Sequence, residues 1–179
     1  MRIVAGRWRG RALAAPAGTK TRPTSDRARQ ALFDVLAHAP WSPGLIDLIV
    51  LDAFAGTGAL GLEALSRGAR LAVFIENDRA AVAVIRTNIS ACGADARVIA
   101  ADVTRAPAAD RAADLVFLDP PYGQALIGRA VTALATAGWI TPDTLLVAES
   151  GRDEDPPSEA DMLDTRTHGA ARLWFWRAG

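Results

Sequence analysis

The chain has 179 residues, of which 50% are apolar and 22% charged, with 20 acids balancing 20 bases. This is the composition of a folded domain with a sizeable core, which excludes a disordered or fibrous protein. One cysteine (Cys92) and two histidines rule out an internal disulfide and leave little for a zinc site, and no run approaches the roughly 20 apolar residues of a membrane span, so a cytoplasmic protein without metal or membrane contact is expected.

The neutral total conceals an asymmetry. Residues 1–30 hold eight basic side chains against one acid, Asp26, so this segment carries +7 and the remainder −7. Charge of that kind suits phosphate backbones, although a solvated arm would look the same. Short extended runs at 2–5 and 11–13 flank Gly6-Arg7-Trp8-Arg9-Gly10 and predict a small hairpin presenting two arginines and a tryptophan. A Pro/Gly/Thr-rich linker follows at 14–21. Thr24 or Ser25 can cap a helix over 25–37, with apolar positions Ala28, Ala31, Leu32, Val35 and Leu36, stopping before Pro40. The organisation expected is an N-terminal arm and linker, 1–24, and a domain over 25–179.

From there strands and helices alternate. Buried-looking runs at 48–51, 71–75, 97–100, 115–118 and 145–148 are separated by helix-like stretches at 59–66, 79–91 and 126–137. Continuous apolar strands joined by helices predict a doubly wound, Rossmann-like α/β sheet, mostly parallel and covered on both faces. Residues 164–167 and 171–177 around His168-Gly169-Ala170 predict a C-terminal antiparallel hairpin, and 152–161 an acidic surface loop. No internal repeat is present.

Ligands of such sheets bind beyond the carboxyl ends of the strands. Here those ends are acidic: Asp52, Glu76, Asp102, Asp119 and Glu149. One acid at a strand end is usually a cap; five in succession outline a crevice. After the first strand, Phe54-Ala55-Gly56-Thr57-Gly58-Ala59-Leu60-Gly61 satisfies the spacing of a dinucleotide fingerprint, and Glu76 lies 20 residues beyond Gly56, where an acid would take ribose hydroxyls. The glycines alone leave the cofactor open. The carboxylate of Asp52 would repel a pyrophosphate, whereas S-adenosylmethionine carries an ammonium and a sulfonium and no phosphate, so the methyl donor is favoured. The expected cofactor contacts are Asp52, Phe54, Gly56, Gly58, Glu76 and Asn77, with Asp102 and Val103 near the adenine edge.

The most specific signal is Asp119-Pro120-Pro121-Tyr122 after the fourth strand. An exocyclic amine of a base is a poor nucleophile because its lone pair is delocalised into the ring. A carboxylate and a backbone carbonyl accepting its two N–H groups would raise electron density on the nitrogen and aim it at a sulfonium methyl. Asp119 and the Pro120 carbonyl are those acceptors, Pro120 and Pro121 hold the backbone, and Tyr122 offers a ring face to a flipped base.

Asp52-x-Phe54-x-Gly56-x-Gly58 with Asp119-Pro120-Pro121-Tyr122 resembles the class I S-adenosylmethionine-dependent amino-methyltransferases. The segments 3–11, 22–33 and 54–68, in that order, resemble the RsmD family of 16S rRNA guanine-N2 methyltransferases, and the match covers nearly the whole chain. Two departures stand out: Gln30 occupies a position where the family usually has glutamate, and Trp174-Phe175-Trp176 replaces a tyrosine-containing pattern. The resemblance implies methylation of N2 of one guanine in 16S rRNA, within the small ribosomal subunit or an assembly intermediate; separately, a monomer is expected, although the sequence does not itself give the oligomeric state.

On that reading the basic arm offsets an acidic core that RNA would otherwise avoid. Arg7, Arg9 and Arg11 are the first candidates for phosphate contact, with Trp8 stacking or packing, and Arg22, Arg27 and Arg29 are added from the helix start. Arg22, Thr24 and Arg27 could instead approach the cofactor carboxylate. A DNA adenine-N6 methyltransferase shares the four-residue motif but usually needs a separate target-recognition region, for which 179 residues leave no room. A non-catalytic rRNA-binding module is the third alternative, disfavoured by Asp119 and the complete glycine loop. Cys92, His38 and His168 receive no role.

Overall fold

The computed structural model describes residues 1–15, 25–121, 126–152, 161–169 and 171–179. Its elements are α1 (Asp26–His38), β1 (Ile49–Ala53), α2 (Ala59–Ser66), β2 (Leu71–Glu76), α3 (Arg79–Cys92), β3 (Ala96–Ala100), a 3-10 turn (Val103–Arg105), β4 (Leu115–Leu118), α4 (Leu126–Thr136), β5 (Leu145–Gly151), β6 (Met162–His168) and β7 (Ala171–Arg177). The seven strands form one sheet in the order β3-β2-β1-β4-β5-β7-β6. The first five are parallel, and β7 pairs antiparallel with both β5 and β6. This is the doubly wound, mostly parallel sheet that the alternation of strands and helices predicts, with the C-terminal hairpin in place.

Local chemistry explains most boundaries. The Ser25 hydroxyl accepts the Ala28 N–H at 3.1 Å and opens α1, and Ala39 ends it in extended backbone ahead of Pro40. Asp78 caps α3 through the Ala81 N–H, and α3 closes at the buried Cys92 before Gly93. β5 runs three residues past the predicted end because β7 supplies partners: Glu149, Ser150 and Gly151 pair with Leu173, Arg172 and Ala171. β6 starts at Met162 across a register shift before Asp164, an irregularity that apolar spacing does not announce. The 3-10 turn was not expected; Asp102 builds it by accepting the Thr104 N–H at 2.8 Å.

Both faces of the sheet are covered. Phe33 and Leu36 of α1, Leu62 and Leu65 of α2 and Ile85 of α3 pack on Val50, Phe74, Phe117, Val147 and Phe175. On the other face Ile127, Ala130 and Leu134 of α4, with Trp139, cover Leu51, Val73, Val116, Leu146 and Trp174. Gly61 lets α2 lie close to the sheet, since a Cβ there would stand 2.4 Å from the Phe74 ring. Among the described residues no helix is long and apolar enough to cross a membrane.

The arm is bound to this core. Ile3 N–H donates to Arg11 O at 2.9 Å and Gly10 N–H to Ile3 O at 2.8 Å, an antiparallel turn with one bridge, Arg2 to Ala12. Ile3 and Leu13 are buried in the same cluster as Leu32 and Leu62, so packing crosses the division at residue 24.

Candidate active site

The strand order reverses between the paired strands β1 and β4, whose onward connections lead to β2 on one side and β5 on the other and so open the crevice where such sheets bind ligands. The two principal sequence motifs leave these adjacent strands. Ala53 stands opposite Leu118, so the glycine loop and Asp119 emerge side by side.

Glu76, at the end of β2, holds the loop. Its Oε2 accepts the Gly56 N–H at 2.8 Å, while Oε1 accepts the N–H groups of Asn77 and Asp78, both at 2.8 Å. Asp78, not Glu76, is the cap of α3. A carboxylate has about four lone-pair sites and three are used by backbone, so Glu76 retains capacity for a hydroxyl donor. The Gly56 N–H, which a pyrophosphate would need, is already given to Glu76. Phe54, Gly56 and Gly58 take positive φ of 63°, 55° and 76°, the compact turn that brings the chain from strand to helix.

Asp52 sits differently from the sequence reading. It is 2% exposed beneath the loop, and its Oδ2 accepts the Gly61 N–H at 2.8 Å. Burial pushes its carboxyl well above the usual range; the Gly61 N–H opposes this, and the nearby Asp119 and Glu76 charges add to it. Asp52 therefore supports the glycine loop from behind, and a side chain only 2% exposed is a weak basis for repelling a pyrophosphate. The Gly56 N–H, held by Glu76, is the feature that disfavours a pyrophosphate. Asp102 is exposed, its Oδ1 taking Thr104 N–H and hydroxyl at 2.8 Å each, and these bonds hold its pKa below the usual value. The Val103 side chain is 3% exposed and belongs to the core, leaving its backbone as the part that a ligand could meet. Asn77 is exposed beside Glu76.

Asp119 is half-buried, Pro120 buried and Pro121 exposed; Tyr122 lies outside the described residues. Asp119 lines an open cleft bounded by Leu32, Leu60, Phe117 and Leu173.

The arm's arginines divide. Arg7, Arg9 and Arg11 are exposed on the turn and Arg27 on α1; Arg22 and Thr24 lie outside the described residues. Trp8 is half-buried with the Arg7 guanidinium 4.0 Å over its ring, so it packs and stacks at once. Arg29 is corrected: it is fully buried, hydrogen-bonded to Asp26 at 2.8 Å and to Arg2 O, with its Nε 3.7 Å from Glu63. A phosphate cannot reach it there, and its charge serves to balance a buried carboxylate.

Glu63 is the residue that the sequence reading passed over. Completely buried in α2, it accepts Val4 N–H at 2.8 Å, Ala5 N–H at 3.0 Å and Arg67 Nε at 2.7 Å. Ser66 adds a second anchor, its backbone carbonyl accepting Arg7 N–H at 2.9 Å and its hydroxyl accepting Trp8 N–H at 3.0 Å. The contact is so close that a Cβ on Gly6 would lie 1.9 Å from Ser66 O. Buried Asn88 makes a further tie, accepting Ala14 N–H at 2.8 Å and donating to Ala14 O and, at 2.9 Å, to Thr57 O of the glycine loop. Arm and cofactor loop thus share a side chain. Gln30 donates to Asp34 and accepts from Arg67 at 3.3 Å, so at this departure from the family pattern a neutral amide bridges a mixed charge pair.

Comparison with known proteins adds a separate line. The family described as "Conserved hypothetical protein 95" matches residues 1–177. The chain is 39% identical over 160 residues to "Ribosomal RNA small subunit methyltransferase D" of Escherichia coli K12, covering 88% of this chain and 78% of that protein. A solved Escherichia coli structure is 35% identical with a TM-score of 0.83, covering 99% of this chain and 97% of the other. A Thermus thermophilus 16S rRNA N2 methyltransferase, RsmC, solved with AdoMet and guanosine, is 25% identical with a TM-score of 0.70 over 90% of this chain and 44% of its own.

Proposed function

Because this chain belongs to the RsmD family of ribosomal RNA small-subunit methyltransferases, we propose that it methylates the exocyclic N2 amine of a guanine in 16S rRNA, within the small subunit or an assembly intermediate. It is an S-adenosylmethionine-dependent rRNA methyltransferase; guanine, N2 and the state of the substrate are the reading advanced here. The observation that carries it is the meeting of two motifs at the switch point, the Glu76-held glycine loop after β1 and Asp119-Pro120-Pro121 after β4.

The residues present fit the cofactor. Glu76 keeps an acceptor site for a ribose hydroxyl, exposed Asn77 and Asp102 flank it, the Val103 backbone is the part of that residue a ligand would meet, and Gly56 and Gly58 take the positive φ that the loop requires. When bound, S-adenosylmethionine supplies an electrophilic methyl group on sulfur. Asp119 accepts one N–H of the target amine and the Pro120 carbonyl the other, which fixes the nitrogen lone pair toward the donor side. As positive charge grows on the amine, the Asp119 carboxylate stabilises it and then takes the proton that leaves. Pro120 and Pro121 prevent the carbonyl from turning away, and Tyr122 supplies a stacking face. Arg7, Arg9, Arg11, Arg27 and, from the linker, Arg22 bind the RNA backbone.

Asp119→Asn tests the reading. Asparagine preserves size and an acceptor oxygen but removes the charge, so single-turnover methylation of small subunits lacking the modification should fall on the order of 10²–10³-fold with donor affinity retained. Methyl mapping of the product rRNA should place the mark on a guanine N2. Wild-type rates in both the Asn and Ala variants would remove Asp119 from the chemistry.

A further inference from the structure

Glu149, the last of the acids expected at strand ends and in fact inside β5, has no part in the mechanism above, yet register places it beside the residue that does. β4 and β5 are parallel with Leu118 opposite Ala148, so Asp119, just past the end of β4, lies alongside Glu149 within β5. Alternation puts both on the face of Phe117 and Val147. On that face the two acids line one open cleft whose walls include Leu32, Leu60, Phe117, Val147 and Leu173. Leu173 is Glu149's own partner on β7, so the antiparallel strand that lengthens β5 also fixes where Glu149 stands.

Two carboxylates in one apolar cleft suit a ring whose edge is made of donors. Guanine presents neighbouring donors, the N1–H and the N2 amine. Adenine and cytosine present one amine beside a ring nitrogen lone pair, which a carboxylate would repel. We propose that Glu149 is the residue that selects guanine, accepting its N1–H while Asp119 engages the N2 amine. This rests on the amine-methylation reading and adds to it the means by which one base is chosen.

The test uses small subunits reconstituted with 16S rRNA that carries either guanine or 2,6-diaminopurine at the methylated position. Diaminopurine keeps the N2 amine but replaces the N1–H with a lone pair and the O6 carbonyl with an amine, so the response of the Glu149 variants, and not the wild-type ratio alone, reports on N1. The wild-type protein should show kcat/KM about 10–100-fold lower on diaminopurine, the discrimination expected of a well-placed base-edge contact. Glu149→Gln, whose amide can donate to N1, should bring the two bases within a few-fold of each other, and Glu149→Ala should lose guanine rate without gaining on diaminopurine. Each ratio is taken within one protein, so the amount of folded material cancels. Equal wild-type rates on both bases, or a wild-type ratio in the Gln variant, would overturn the assignment of Glu149. Absence of methylation on either base by the wild type would overturn the parent reading, and this one with it.

Discussion

At the scale of single residues, the carboxylates at the strand ends are distinguished by what the backbone asks of them. Glu76 gives three of its acceptor sites to N–H groups at a turn and keeps one outward; Asp102 spends one oxygen on Thr104; Asp52 is sealed beneath Gly61. Sequence spacing located all of these acids but could not tell a ligand-facing carboxylate from one turned under its own loop, because that depends on how tightly α2 packs against Phe74. The buried position of Asp52 has a measurable consequence. Its folded pKa is raised, so the native state holds a proton more tightly than the unfolded chain and stability falls as pH rises above the ordinary value of 3.8 until the folded pKa is passed. Asp52→Asn removes this titration. Thermal unfolding from pH 4.5 to 8.5 should show the variant gaining on wild type as pH increases; parallel curves would mean that Asp52 stays charged in its pocket.

At the scale of elements, the sheet, its hairpin and all four helices were legible because apolar periodicity reports burial directly. The docking of the arm was not. Glu63 lies within α2, where an acid reads as solvent-facing, and its burial depends on Val4 and Ala5 arriving from 58 residues or more away. The same contact turned Arg29 from an expected phosphate ligand into an internal counter-charge, a reversal that charge counting cannot foresee. Glu63 joins α1, α2 and the arm, with Arg67 reaching it from the next turn while its guanidinium lies 4.9 Å over the Phe33 ring. Breaking a buried ion network by removing one partner leaves the others desolvated and uncompensated, at about 3–5 kcal/mol. Glu63→Gln should therefore lower urea stability by about that much and expose the arm to proteolysis near Gly10. A loss under 1 kcal/mol with a protected arm would show that apolar burial of Ile3 and Leu13 alone holds it.

At the scale of the whole molecule, the arm works as a cationic surface attached to an anionic crevice. Of the eight basic residues among the first thirty, Lys20 and Arg22 lie outside the described residues, Arg29 is internal and Arg2 lies 3.4 Å from Asp26, which leaves Arg27 exposed on α1 and, as the exposed end that RNA would meet first, Arg7, Arg9 and Arg11 on the turn. Their backbone is fixed by Glu63, Ser66 and Asn88, none of which depends on the guanidinium groups. Replacing all three by Ala should therefore leave the fold and S-adenosylmethionine affinity intact while weakening small-subunit binding. If each meets one phosphate, the slope of log affinity against log salt should flatten by about two units, at roughly 0.7 per phosphate on a single strand. Arg11 is the informative member, because it also donates to Ala91 O at the end of α3, and restoring it alone should recover less slope than restoring Arg9. Filter binding across a salt series, with donor calorimetry on the same preparations, decides the matter: an unchanged slope with intact donor binding would make the arm a solvated face and move RNA recognition to the crevice itself.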